Sequence, residues 1–209
     1  MKKGVVVAVL LAGAGIAAQH AHAQSGTAAN YPDRSIRLMV GFPPGGATDI
    51  LARILSQHMP ESIGQPVVVD NRGGATGTIA AAIVAKAAPD GYTMMMVPSG
   101  PYTISASTYS KLPYDAVRDF TGVSLLVWVT NVIVVPQTSP AKTLQDLVRM
   151  AKEKPGQLTF SSSGAGSLPH LSGEVPKRLT GTDMIPVPCT GAGPAMAALA
   201  GSQVNFGFT

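Results

Sequence analysis

One cysteine, Cys189, in 209 residues excludes an internal disulfide, so stability has to come from a packed core. Aromatics are scarce at 5% while Gly, Ala and Val are abundant, the balance of a compact α/β protein and not of a disordered chain. Phosphate-cradling Gly-x-x-x-x-Gly-Lys-Ser/Thr and nucleophile-elbow Gly-x-Ser-x-Gly patterns are both missing. Outside the N-terminal region only His58, His170 and Cys189 offer nitrogen or sulfur ligands, so no metal site and no cofactor is expected. No apolar run after the first 20 residues is long enough to span a bilayer.

The N-terminus does carry a recognisable pattern. Met1-Lys2-Lys3 precedes the uncharged run Val5 to Ala18, and Ala21-His22-Ala23 has the small-x-small form of a cleavage site, which reads as a secretory signal peptide cut after Ala23. The expected product is exported to the periplasm, starts at Gln24, and has no Cys nearby to carry a lipid and no stable membrane insertion. Losing Lys2 and Lys3 takes the basic count from 15 to 13 against 11 acidic residues, and the formal charge from +4 to +2. That is no nucleic-acid footprint; Arg149-Lys152-Lys154 and Lys177-Arg178 read as solvated helix faces.

Along the chain, strand-like runs lead repeatedly into Gly/Pro/Ser loops and then into helices. Ile36 to Val40 enters Gly41-Phe42-Pro43-Pro44-Gly45-Gly46-Ala47-Thr48-Asp49 and then a helical rhythm from Ile50 to Met59, with Ile50, Leu51, Ile54, Leu55 and His58 on one face and Pro60 ending or kinking it. Val67-Val68-Val69 reads as a strand buried on both faces, followed by Asp70-Asn71-Arg72-Gly73-Gly74 and a helix from Thr78 to Ala88. Tyr92 to Val97 is a third strand, opening into Pro98-Ser99-Gly100-Pro101. Two strand-like runs, Gly122 to Val129 and Asn131 to Val135, lead to a second lobe. There Thr143 and Asp146 form a capping-box pattern ahead of a helix with Leu144, Leu147, Val148 and Ala151 inward. Leu158 to Phe160 opens into Ser161 to Ser167 and a helix to Leu179; Met184 to Val187 opens into Cys189 to Gly193 and a helix from Pro194 to Ala200; Val204 to Phe208 is a last strand. Sequential βα units specify a mostly parallel sheet whose ligand crevice lies at the carboxyl ends of its strands. At those ends prolines fix the backbone, glycines let it approach a guest, and helix starts add unpaired amides and positive dipole ends. Such a seat suits a carboxylate or similar small anion.

The segments Tyr31-Pro32, GFPPGGATDILAR, GQPVVVDNR, KAAPDGYT, KLPYDAVRDF, the GAGS loop with His170-Leu171, and GAGPAMAALAGSQVNF, in that order, resemble the Bug-type extracytoplasmic solute receptors of tripartite tricarboxylate transporters. The resemblance implies a two-lobed Venus-flytrap periplasmic binding protein, type II, with parallel-rich sheets. It implies no enzyme, a small-molecule carboxylate as ligand, and membrane transport subunits as partners of an expected monomer. It also implies a C-terminal third beyond this chain, so that residues 24–125 would be the first lobe and 126–209 an incomplete second lobe after the signal peptide 1–23. Carried over by position, Phe42, Gly45, Gly46, Ala47 and Thr48 would hold one carboxylate through backbone amides and the Thr48 hydroxyl. Ser99 would close the near side, Ser161, Gly164, Ser167 and His170 would meet the ligand from the second lobe, and Thr190 and Gly191 would present another helix start. The chain departs from the family pattern at Pro188-Cys189-Thr190-Gly191, where Pro-Tyr-Lys-Gly is usual, at Pro176 within a helix, and at Asn205 in place of an acidic residue.

Less specific readings compete at single residues. His170 can serve a ligand or a helix start, His58 reads as part of an apolar helical face, and Arg72 and Asp49 read as structural partners more than ligand contacts. Cys189 stands at a helix start that would favour a thiolate, though no His or Asp partner is evident; Met94-Met95-Met96 reads as core packing. The alternative function is an exported α/β hydrolase-like enzyme acting on a small anionic substrate.

Overall fold

The computed structural model describes residues 30–208. Arg34–Thr209 is a compact unit that holds all the regular elements among the described residues. The expected signal peptide and its cleavage point lie outside the described residues.

The run Ile36-Arg37-Leu38-Met39-Val40 becomes β1, with every residue but Arg37 buried. It earns that position as the middle strand of a three-stranded parallel sheet, between β2 (Val67–Asn71) and β3 (Thr93–Met96). Parallel neighbours need crossovers, supplied by α1 (Ala47–Ile63) and α2 (Thr78–Ala85). Ile36, Leu38, Val40, Ala52, Val67 and Met96 pack together under Leu51, Leu55, Met59 and Ile63.

Four details differ from expectation. The inner face of α1 is Leu51, Ala52, Leu55, Met59 and Ile63, while Ile50 and Ile54 are about half exposed and His58 faces solvent, so His58 completes no buried face. Pro60 lies inside α1, which runs on until Gly64 takes a left-handed conformation and donates its amide to the Pro60 carbonyl. The ring removes one hydrogen bond near the end of a helix that tertiary packing holds, so it does not stop the chain. Val68 is exposed because β2 is an edge strand. Finally, the loop after β3 turns helical at once, as a π-helical turn Gly100–Ile104 and then α3 (Ser105–Thr108).

The second sheet has the order β4 (Ile133–Val134), β7 (Phe206–Phe208), β5 (Leu158–Ser162), β6 (Met184–Pro188), parallel except for the β4–β7 pair. Its helices are α4 (Leu144–Glu153), α5 (Leu168–Thr180) and α6 (Ala192–Ala200). Thr143 and Asp146 close the expected capping box on α4, with Leu147 and Ala151 buried and Leu144 exposed. Pro176 interrupts nothing: α5 continues to Thr180, whose hydroxyl donates to the Pro176 carbonyl at 2.6 Å. Phe160 stacks on Phe206 with ring centres 5.4 Å apart. Gly173 of α5 makes this possible, since a Cβ there would lie 2.2 Å from a Phe160 ring carbon.

Most of the two strand-like runs before Val135 is not strand. Residues 120–132 have no regular structure, and Val123, Leu125, Trp128, Val129 and Val132 are exposed. A strand exists by pairing. Of residues 122–135 only Ile133–Val134 has a strand partner, β7.

Candidate functional site

The strands β1, β3, β5 and β6 end at Val40, Met96, Ser162 and Pro188, and the turns that follow them converge with the turn after β2. Pro43 sits between two of these turns: a Cβ on Gly73 would lie 3.2 Å from its Cδ, and one on Gly191 would lie 3.3 Å from the same atom. Thr76 Oγ1 donates to the Ala165 carbonyl at 2.7 Å. A Cβ on Gly166 would come within 3.4 Å of Thr108 Oγ1, and one on Gly46 within 3.8 Å of the Ala192 Cβ. Turns from both sheets therefore share one edge of the molecule.

The first turn is braced by a buried carboxylate. Asp49, 2% exposed, accepts hydrogen bonds from Gly45 N, Arg53 Nε and Asn71 Nδ2, each at 2.9 Å. Asn71 also donates to the Phe42 carbonyl at 3.0 Å, tying the end of β2 to the loop after β1. The Arg53 hydrogen bond, with those of Gly45 and Asn71, outweighs burial and holds the Asp49 pKa down to about 2. Asp49 is thus a structural partner. The Gly45 amide, expected to face a ligand, is spent on Asp49 instead.

What remains at this turn is the uncapped start of α1. Gly46 is the N-cap and supplies no side-chain acceptor, so the amides of the first helical turn, at Ala47 and the half-buried Thr48, are left without a side-chain cap. Gly191 caps α6 in the same way, buried and with φ 146. Two uncapped helix N-termini, each with its positive dipole end, therefore lie side by side, with Gly46 against Ala192.

The start of α5 is built differently. Ser167, 3% exposed, accepts from the His170 amide at 3.3 Å, and the Gly166 amide donates to His170 Nδ1 at 3.2 Å. His170 holds the turn in shape, which is the helix-start role. Gly164 is buried against Thr76 with φ 136, a conformation that favours glycine.

The other candidates differ in exposure and partners. Ser161 and Ser162 belong to β5 and not to the loop, and Ser161 is buried where a Cβ on Gly207 would lie 2.5 Å from its Oγ. Ser162 Oγ, fully buried, has no protein partner. Ser99 is exposed at the head of the π-helical turn, its carbonyl accepting from Thr103 Oγ1 at 2.7 Å. Thr190 is exposed beside Gly191. Arg72 pairs with Asp70 at 2.9 Å, the structural role. Burial pushes the Cys189 thiol up, contrary to the activation expected of a helix start. Residues missed at first are Asn71, Pro43 and the Gly74–Gly77 turn; the Asn71-Arg72-Gly73-Gly74 run marked the turn, but nothing in its spacing marked its partners.

A groove of about 570 Å³ lies elsewhere, along α4 between Leu144, Val148 and Thr180. Arg149 there is paired with Asp146 at 2.8 Å.

The chain matches the model of the tripartite tricarboxylate transporter family receptor over residues 51–208. It belongs to this receptor family. Protein BugT of Bordetella pertussis is 38% identical over 200 residues, 95% of this chain and 60% of that protein. A solved structure of an R. palustris protein with adipate is 36% identical with a TM-score of 0.82, covering 85% of this chain and 60% of the other. MatC from Rhodopseudomonas palustris, solved with bound malate, is 34% identical with a TM-score of 0.79 over the same shares. The chain spans between half and three fifths of the length of the curated relatives it matches. The family is one of receptors and not of enzymes, which leaves the hydrolase alternative without support.

Proposed function

We propose that this chain is the ligand-capturing portion of a periplasmic receptor that takes a small carboxylated metabolite for a tripartite tricarboxylate-type transporter, whose membrane subunits it would engage as a monomer. The carrying observation is the pair of adjacent uncapped helix starts, α1 and α6. Their free amides and dipole ends favour an anion without placing a cation in the site. The amides of Gly46, Ala47 and Thr48 would hold one carboxylate, Gly191 and Thr190 would add donors from the second sheet, and Gly164, Ser167 and His170 would shape the facing wall. Malate and adipate bound to similar proteins support the ligand class.

In this reading residues 24–125 and 126–209 act as two lobes. A carboxylate that touches both stabilises the closed arrangement by its extra contacts there. Titration calorimetry with malate, adipate and their diamides tests the proposal: heat with the acids and none with the diamides is expected. Equal response to acids and diamides, or no response to either, would overturn it.

A further inference from the structure

The Gly74–Gly77 turn has no task in the anion seat, yet its backbone is the most unusual in the described residues. Ala75 and Thr76 are consecutive non-glycine residues at positive φ, 46° and 56°, flanked by Gly74 at 131° and Gly77 at 90°. Left-handed backbone is unfavourable for a residue with a side chain, so surrounding contacts must hold it. Three contacts do so: Thr78 Oγ1 donates to the Ala75 carbonyl at 2.9 Å, Tyr109 Oη donates to the same oxygen at 3.4 Å, and Thr76 Oγ1 donates to the Ala165 carbonyl at 2.7 Å. The first two stay within the chain around the first sheet, whereas the third crosses to the turn after β5 in the second.

We propose that Thr76 is a latch: its left-handed backbone aims the hydroxyl at the Ala165 carbonyl and thereby sets how readily the turns of the two sheets separate. Gly164 fits the role, because a Cβ there would press to 3.2 Å from Thr76 Oγ1 and push the bond apart. Gly100 approaches from the other side, where a Cβ would lie 3.4 Å from Thr76 Cγ2. Thr76 is a positioning residue. It rests on the receptor reading only in that separation of these turns is what admits a ligand.

The test is amide hydrogen exchange of the whole chain without ligand, read by mass spectrometry over residues 73–77 and 161–167. Thr76→Val keeps the branched shape and removes the hydroxyl, Thr76→Gly removes the hydroxyl while relieving the backbone, and Thr76→Ser keeps the donor. Faster exchange in both segments, about three- to tenfold as expected for one lost hydrogen bond, in the Val and Gly variants, with the parental rate in the Ser variant, is the expected result. Parental rates in the Gly variant, or acceleration confined to residues 73–77, would overturn the latch. Calorimetry of the parent chain with malate and adipate is separate: its failure would remove the receptor reading and leave the exchange result standing.

Discussion

The turns after β1 and β5 look alike in sequence, Gly/Ser-rich and leading into a helix, but they are held by different chemistry. The first is tied by the buried Asp49 carboxylate to Gly45, Arg53 and Asn71, and so leaves its helix start uncapped. The second is closed by a hydroxyl and an imidazole, with Ser167 capping α5 and His170 receiving the Gly166 amide. If the proposed anion seat lies between them, the first turn supplies unspent amides and the second a fixed shape.

The largest way to break the comparison is Asp49→Ala. It removes the acceptor of the Gly45 amide, of Arg53 and of one of the two hydrogen bonds that Asn71 Nδ2 donates, three bonds at about 1 kcal/mol each, so a loss of about 3 kcal/mol is expected in urea unfolding; a loss under about 1 kcal/mol would show that the first turn is not braced as described. Acid supplies the second test. The folded pKa of Asp49 is lowered from 3.8 to about 2, so its contribution is present above the unfolded value and disappears as pH falls through the folded one. That contribution is about 2 kcal/mol, and unfolding followed from pH 5 down to pH 2 should lose it in the parent but not in Asp49→Asn. Ser167→Ala removes the α5 cap and should reduce stability by about 1 kcal/mol, independent of pH over that range. The smallest effect belongs to His170→Ala: about 0.5 kcal/mol from one lost acceptor, with malate titration by calorimetry retaining its anion selectivity. Selectivity lost in that variant would move His170 from shaping the turn to contacting the ligand.

Legibility followed the range of the interactions involved. The capping box of Thr143 and Asp146 and the ends of β1 were readable because their partners lie within a few residues. The inner face of α1 was misjudged because Ile50 and Ile54 fit a helical stripe as well as Leu51 and Leu55 do, and only the position of the first sheet chooses between them. Residues 122–132 failed for a related reason: their β-propensity is high, but pairing is a property of neighbours. Within the candidate site, Gly46, Gly191 and Gly164 stood out as glycines in loops after strands. Ser161, expected in the loop, lies in β5 instead, because the strand runs two residues beyond Phe160 to Ser162 and buries Ser161 beside Gly207.

By itself the sequence settled the alternation of strand, glycine turn and helix and the mostly parallel pairing, because these depend on local conformational preference. Tertiary structure alone decided that Gly45 spends its amide on Asp49, that α1 and α6 begin side by side, and that Thr76 reaches Ala165. Those are contacts between residues 4, 89 and more than 140 positions apart in the chain, and the longer ones exist only once two sheets have placed their carboxyl ends on a common edge.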